Sequence, residues 1–416
     1  MKRFYTICLF MGFGMKMLAQ PIVTTDTRFA RGATMAFGRM TAKASGSAIE
    51  EQGFCWSESK EPTIDDFTTT DVLNNNGKIY WMKDLKPATM YYARAYAKAK
   101  NGTVGYGNVI KIVTIPKGQI KLSLRTSDNA AADARVKAAA EEAVEWWNNL
   151  TEMRGFNPSV GFVDGVQTAD CSYGGWVRVG PNQSYQRCGT ILHELLHGCG
   201  VIPWADTEWS RHTLRSSQNN DGYGSGYWLG DRVTEVIQFW DNNTDGKLNG
   251  DYQHMWPYGI NGASEDNGSD LLYIGNSLIC QALGEDGLQH TYSLYNEPYY
   301  AFNQEDDVKY YIKNESENGG LYTSYLVENG SRQLRWQEMT EEEVLANDSA
   351  AWYFTFTPSN QFYQIRNAQT GHNIIYNSSF KMVDLAHKAN ADDPNINLMR
   401  GRVDVAGGGQ FKTRGY

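Results

Sequence analysis

Between residues 20 and 116 apolar and polar positions alternate in short runs. Ala33-Thr-Met-Ala-Phe-Gly38, Gly53-Phe-Cys-Trp-Ser57 and Tyr91-Tyr-Ala-Arg-Ala-Tyr-Ala97 each send every second side chain to one face. That is the period of a strand with one buried side. Pro116-Lys-Gly118 is a breaker pair, and the pattern changes after it. Ile120 to Leu124 alternates once more. Ala130 to Leu150 then carries Val136, Ala140, Val144 and Trp147 at helical spacing. Val160-Gly-Phe-Val163 and Trp176-Val-Arg-Val-Gly180 read as strands. Thr190 to Gly200 reads as a helix with a polar start, an apolar face from Ile191 and Leu192, and terminating glycines at 198 and 200. The polar, glycine-rich stretch 213–227 predicts a loop beside the cleft, and helices are expected around Asp231–Trp240 and Asp270–Leu283. From about Tyr300 short strands return. Tyr310-Tyr-Ile-Lys-Asn314 and Phe362-Tyr-Gln-Ile-Arg-Asn367 look like related repeat starts roughly fifty residues apart, with a tight turn at Asn367–Gly371.

The expected helix at 190–200 holds His193-Glu194-Leu195-Leu196-His197. Residues four apart stack on one helical face, so both imidazoles can reach one ion while Glu194 stands beside it. Zn²⁺ bound there would lower the pKa of a water toward about 7, and the carboxylate would take its proton. This is the HExxH pattern of zinc peptidases. The order strand, long helix, strands, active-site helix resembles the N-terminal half of zincin catalytic domains. The resemblance implies that the last strand before the helix, Gly174 to Val179, lines the cleft and pairs with extended substrate.

Two histidines do not complete such a site, since three protein ligands are usual. Metzincins extend the pattern to HExxHxxGxxH. The chain agrees through Gly200 and then has Pro203 where the last histidine would stand. The third ligand must come from elsewhere: His254 first, then His212, with Glu235 (on the gluzincin plan of two His and a helical Glu) and Asp206 behind. His254 sits in Gln253-His-Met-Trp-Pro-Tyr-Gly-Ile-Asn261, where aromatics, Pro257 and Gly259 can hold an imidazole rigidly. The string resembles a His-[Phe/Met]-Trp-Pro-Tyr-Gly segment downstream of HExxH in secreted bacterial zincin-like proteins. Tyr258 is read as a structural tyrosine in preference to an oxyanion donor.

Charge and composition narrow the partners. The net charge is −9 without a Lys/Arg cluster, which argues against nucleic acid. The 25 Tyr, 12 Trp, 16 Phe and 41 Gly fit β-rich extracellular modules and sugar contacts. Met1-Lys2-Arg3, an apolar run from Phe4 to Met15, and Leu18-Ala19-Gln20 read as a secretory signal peptide cut near Ala19, whose Ala-Gln end resembles signal peptides of the Bacteroidota. Lys16 leaves the run too short for a transmembrane segment. A secreted, periplasmic or cell-surface location is therefore expected. Cys8 leaves with the leader and Cys55, Cys171, Cys188, Cys199 and Cys280 remain. Cys171 with Cys188 is the favoured pair, with free buried thiols as the alternative.

Two further resemblances concern the flanks. Leu85-Lys-Pro-Ala-Thr89 followed by Tyr91 and Arg94-Ala-Tyr-Ala97 resembles the E–F corner and F strand of fibronectin type III domains. It implies a corner tyrosine at Tyr91 and a spacer or adhesion module. The C-terminal repeats resemble a ricin-type β-trefoil, which needs three lobes. Two fit, Trp352-Tyr-Phe resembles a repeat closer, and Gln410 to Tyr416 could open the third. Carbohydrate is the partner such a domain would take, although the Gln-x-Trp signature is absent and Gln333-Leu-Arg-Trp336 has the wrong spacing. Asp241-Asn-Asn-Thr-Asp-Gly-Lys-Leu-Asn249 opens like a calcium loop, but Tyr252 stands where a bidentate Glu belongs, so a turn that binds no ion is expected.

These readings give a multidomain chain: signal peptide 1–19, an all-β fibronectin type III-like sandwich at 20–116, an α+β zincin-like catalytic domain at 117–300, and an incomplete all-β trefoil-like domain at 301–416. The expected activity is zinc-dependent hydrolysis of extracellular proteins or glycoproteins. His193 and His197, with His254 as the first choice of third ligand, are expected to hold Zn²⁺, and Glu194 to act as the general base. The alternative is an inactive zincin-fold adhesion or carbohydrate-binding protein.

Overall fold

The computed structural model describes residues 19–73, 77–203, 207–211, 214–288, 309–315, 323–328, 330, 333–357, 362–377, 382–386, 403–406 and 410–413. His212, Asp206, His290 and His387 lie outside the described residues, as do residues 1–18 of the expected signal peptide. The chain is multidomain and rich in antiparallel sheet, with few helices.

The alternating runs of the first module form β1 (Ile22–Arg31), β2 (Ala36–Lys43), β3 (Ile49–Ser57), β4 (Phe67–Thr69), β5 (Tyr80–Met82), β6 (Met90–Ala99), β7 (Val104–Tyr106) and β8 (Ile110–Val113). One antiparallel sheet has the order β1-β2-β5. The other runs β4-β3-β6-β7, with β8 also on β6. Phe54, Tyr80, Tyr91 and Ile112 fill the space between them. The Tyr91 hydroxyl accepts from Lys86 N at 3.0 Å and so ties the preceding turn to β6, as the corner reading expects.

In the central region come β9 (Ser123–Arg125), α1 (Ala130–Leu150), β10 (Ser159–Phe162), β11 (Ala169–Ser172), β12 (Trp176–Val179) and α2 (Cys188–Cys199). The Asn129 side chain accepts from Ala132 N and caps α1, whose Val136, Ala140, Val144 and Trp147 are buried. The sheet order is β11-β12-β10-β9, with β10 parallel to both neighbours and β11 antiparallel to β12. This corrects the strand expected to line the cleft. Gly174 and Gly175 both take φ 92° and turn the chain back, which leaves β12 paired on both sides and β11 at the edge. Stretch 213–227 is also not a plain loop. β13 (Arg215–Gln218) and β14 (Gly224–Trp228) form a hairpin, joined by β15 (Asn249–Gly250) and β16 (Met255–Trp256). The ladder of β13 runs through exposed Ser216, Ser217 and Gln218, so no apolar alternation marks it. Helices α3 (Asp231–Trp240) and α4 (Asp270–Glu285) complete the region.

The first module is packed hard against this region, unlike a free spacer. Ala30, Met35, Phe37 and Ile79 share one buried cluster with Leu150, Phe239, Trp240, Ile274 and Leu278. Arg39, buried on β2, donates to Phe239 O and Trp240 O at 2.8 Å each and so satisfies the last carbonyls of α3. Glu285 lies buried between Arg31 at 3.6 Å and Arg232 at 2.8 Å.

Past residue 308 the chain forms β17 (Tyr310–Tyr311), β18 (Lys313–Glu315), β19 (Thr323–Glu328), β20 (Leu334–Glu338), α5 (Glu341–Leu345), β21 (Ala351–Thr357), β22 (Phe362–Asn367), β23 (Asn373–Asn377), β24 (Met382–Ala386) and a hairpin of β25 (Val403–Ala406) with β26 (Gln410–Thr413). The two expected repeat starts flank β21 in one five-stranded sheet, β17-β21-β22-β23-β24. Among the described residues this order does not by itself display a threefold repeat. Trp352, Phe354, Ile365 and Ile374 pack on Ala33, Val113 and Ile115 of the first module.

Cys55, Cys171, Cys188, Cys199 and Cys280 are free, so the favoured Cys171–Cys188 pair is not formed. Bracketing a strand in sequence does not bring the thiols together: Cys171 lies on the edge strand, and Cys188 is buried at the start of α2. Among the described residues no helix is long and apolar enough to cross a membrane.

Candidate metal centre

Helix α2 buries Ile191, Leu192, Leu195, Leu196 and Cys199, which fixes the rotation of the helix. Its own N-cap residue, Arg187, offers no side-chain cap. The cap comes from far away in sequence: Asp266 Oδ2 accepts from Gly189 N at 3.2 Å, and Tyr273 donates to Asp266 Oδ1 at 2.7 Å. A Cβ at Gly189 would fall 2.5 Å from Asp266 Oδ2, so the position requires glycine. Gly200 closes the helix at φ 126°, its N–H reaching Leu196 O and His197 O.

This orientation sets His193 and His197 one turn apart with their Nε2 atoms 3.0 Å from each other. The third ring is His254, at the end of a turn between β15 and β16. Its centroid lies 5.6 Å from that of His193 and 5.8 Å from that of His197. One ligating atom from each of the three lies within 4.8 Å of the other two. Each Nδ1 faces an oxygen. For His193 it is Gly259 O at 2.8 Å, for His197 it is Val201 O at 2.6 Å, and for His254 it is Asp251 Oδ2 at 3.2 Å. Asp251 is itself fixed, since its Oδ1 accepts from Gln253 N and His254 N at 2.8 and 2.6 Å. With Nδ1 donating, Nε2 keeps its lone pair.

The donor set fits a tetrahedral metal. Two facing Nε2 lone pairs at 3.0 Å repel unless a cation lies between them. Tetrahedral zinc with Zn–N of about 2.0–2.1 Å spaces its nitrogens about 3.3 Å apart. Burial, reinforced by the His197 ring, pushes His193 down to about 3. Burial likewise lowers His197. Both are therefore neutral at ordinary pH, the form that ligates metal.

Glu194 is 5% exposed, and its Oε2 finds no hydrogen-bond partner among the described residues. Burial, with the Asp170 charge second, pushes its carboxyl up to about 8. A buried carboxyl oxygen without a protein partner needs something in the cavity to serve it. The cavity holds about 440 Å³, between Asp170 and Cys171 of β11, the α2 face, and Gln253 to Gly262. Pro203 also lines it, and no residue of the β13–β14 hairpin does.

The other candidates fall elsewhere. Glu235 is exposed and paired with Arg232. The Tyr258 hydroxyl donates to Asp241 Oδ1, away from the imidazoles. In the calcium-like loop Asn243 Oδ1 is taken by Asp245 N, and Tyr252 stacks on Tyr223 at 5.9 Å. Asp251, Val201 and Gly259 were not foreseen. An acid three residues before His254 was the one available signal. The other two act through backbone carbonyls, which carry no side-chain identity.

No known family model matches the chain, and no curated protein matches it. Among solved structures the chain is similar to the 6th fibronectin type III domain of human fibronectin type III domain containing protein 3, at 25% identity over 26% of this chain and 88% of that one, with a TM-score of 0.17. A fibronectin type III domain of that same human protein matches at 16% identity, over 25% of this chain and 94% of that one, with a TM-score of 0.19. A polysaccharide deacetylase from Bacillus cereus matches at 11% identity, over 36% of this chain and 52% of that one, with a TM-score of 0.18. These likenesses cover limited parts of the chain and say nothing of its chemistry.

Proposed function

We propose that this protein is a zinc-dependent endopeptidase. One observation carries the reading: three imidazoles with their Nδ1 atoms committed to oxygens converge beside a buried carboxyl, one oxygen of which has no partner among the described residues. His193, His197 and His254 would hold Zn²⁺, which when bound supplies Lewis acidity and a water acidic enough to ionise near neutral pH. Glu194 takes a proton from the attacking water and returns it to the leaving amine. The open edge of β11 receives an extended chain. Gly180 N donates to Thr168 O, and Asp170 stands opposite Arg178, so the backbone groups of Ala169 and Cys171 point away from β12.

In this reading residues 117–300 are an α+β zincin-like domain, flanked by a fibronectin type III-like module and a trefoil-like one. Extracellular protein or glycoprotein as substrate rests on the leader-like residues 1–19. An inactive adhesion protein would leave the Glu194 carboxyl buried without a use. Metal analysis of the purified chain, with peptide hydrolysis by wild type and Glu194→Ala, tests the proposal. A chain that carries no zinc, or a variant as active as wild type, overturns it.

A further inference from the structure

Gly259 O fixes the His193 ring, and the backbone that presents it is strained. Tyr258 has φ 66° and Ile260 φ 55°, left-handed values that non-glycine residues hold only where their surroundings over-determine them. A Cβ on Gly259 would fall 1.9 Å from Met255 O, so glycine alone can offer this carbonyl. Three contacts hold the turn. Asn276, fully buried on α4, donates to Tyr258 O at 2.9 Å. Asn261 donates to Met255 O at 2.9 Å. The Tyr258 hydroxyl donates to Asp241 Oδ1, on the residue that follows α3. Arg39 of the first module grips Phe239 O and Trp240 O, the two carbonyls just before Asp241. A contiguous path of contacts therefore runs from β2 through the end of α3 and Tyr258 to Gly259 and His193.

We propose that Tyr258 is a positioning residue, through which Asp241 and the N-terminal sandwich set the pose of the His193 imidazole. The inference rests on the reading of the three imidazoles as a zinc site. It also gives the Asp241 segment, whose sequence imitates a calcium loop, a task that needs no calcium. Removing the phenol hydroxyl leaves the turn with its Asn276 and Asn261 contacts only, so Gly259 O is aimed less firmly and His193 gains ring freedom. Zinc affinity then falls although no ligand has changed.

The test is competition for Zn²⁺ against a chromophoric chelator on the full chain, with thermal melts of each zinc-free variant. Tyr258→Phe is expected to weaken zinc binding about tenfold, the low end for outer partners of a metal ligand. Asp241→Asn keeps the shape and weakens the acceptor, so it moves affinity the same way, and the double variant is no weaker than Tyr258→Phe alone because both act on one link. Arg39→Lys, which cannot grip both carbonyls, also lowers affinity, with no further loss in the Tyr258→Phe background. A purely structural role would lower the zinc-free melting temperature and leave affinity unchanged, which overturns the proposal, as do additive losses. Wild-type affinity in Arg39→Lys removes the link to the sandwich. If wild type binds no zinc, the metal-centre reading itself falls. If it binds and Tyr258→Phe binds equally, only the positioning role falls.

Discussion

Glu194 moves protons in this scheme and holds no metal, so Glu194→Ala is expected to abolish peptide hydrolysis while zinc stays stoichiometric by elemental analysis. The same change removes a buried carboxyl oxygen that has no partner among the described residues. The zinc-free variant should therefore melt no lower than wild type in calorimetry. His254→Ala should cut zinc affinity by several orders of magnitude, beyond the roughly 10–100-fold of an outer-partner change. Stoichiometric zinc in that variant would remove His254 from the ligand set. The candidate residues were legible for a physical reason: helical period puts His193 and His197 on one face, and a proline- and aromatic-rich turn marks His254. The oxygens that fix two of them were not, because Gly259 and Val201 act through backbone carbonyls, which leave no side-chain signature.

Strand β11 shows where pattern reading loses its grip on elements. Alternation of apolar residues marks a strand with a buried face, and β12 has one, with Val177 and Val179 buried. The edge strand Ala-Asp-Cys-Ser has little to bury, so nothing in its sequence announces it. The serine-rich β13 was hidden for the same reason, whereas α1 and α3, with long apolar periods, were read nearly to the residue. The calcium-like loop is decided at this scale too. Asp241 is engaged by Tyr258 and position twelve is a stacked tyrosine. Millimolar calcium should leave the melting temperature unchanged, and a clear rise would show that the loop binds the ion after all.

At the scale of the whole molecule, the sandwich and the central region share a buried seam that includes Glu285. Burial alone would raise the Glu285 carboxyl, but the Arg232 and Arg31 charges outweigh it and hold it below its ordinary 4.5. A folded pKa below the unfolded one gives stability that is complete above about pH 4.5 and lost as pH falls through the folded value. Glu285→Gln takes the Glu285 charge away from buried Arg31 and from partly buried Arg232, which keeps Glu235. It should cost about 3–5 kcal/mol in denaturant unfolding at pH 7, with the gap to wild type closing in acid. Truncations should divide the same way. A fragment starting at 117 bares Leu150, Phe239, Trp240 and Ile274 and should aggregate. A chain ending at 288 should keep peptide hydrolysis, since the C-terminal Trp352 and Phe354 pack on the sandwich and no candidate catalytic residue lies beyond 288. Size-exclusion chromatography and a peptide assay check both.

The distant cap on α2 has a consequence for the order of assembly. The helix that carries His193 and His197 relies for its first-turn N–H on Asp266, a residue 77 positions downstream of Gly189. The third imidazole also arrives late, at position 254. On a chain that emerges N-terminus first, neither the helix start nor the metal site can close until both have appeared. Such long-range closures are slow compared with local helix formation. Under the proposed reading, zinc capture is thus a late event in the life of the nascent chain.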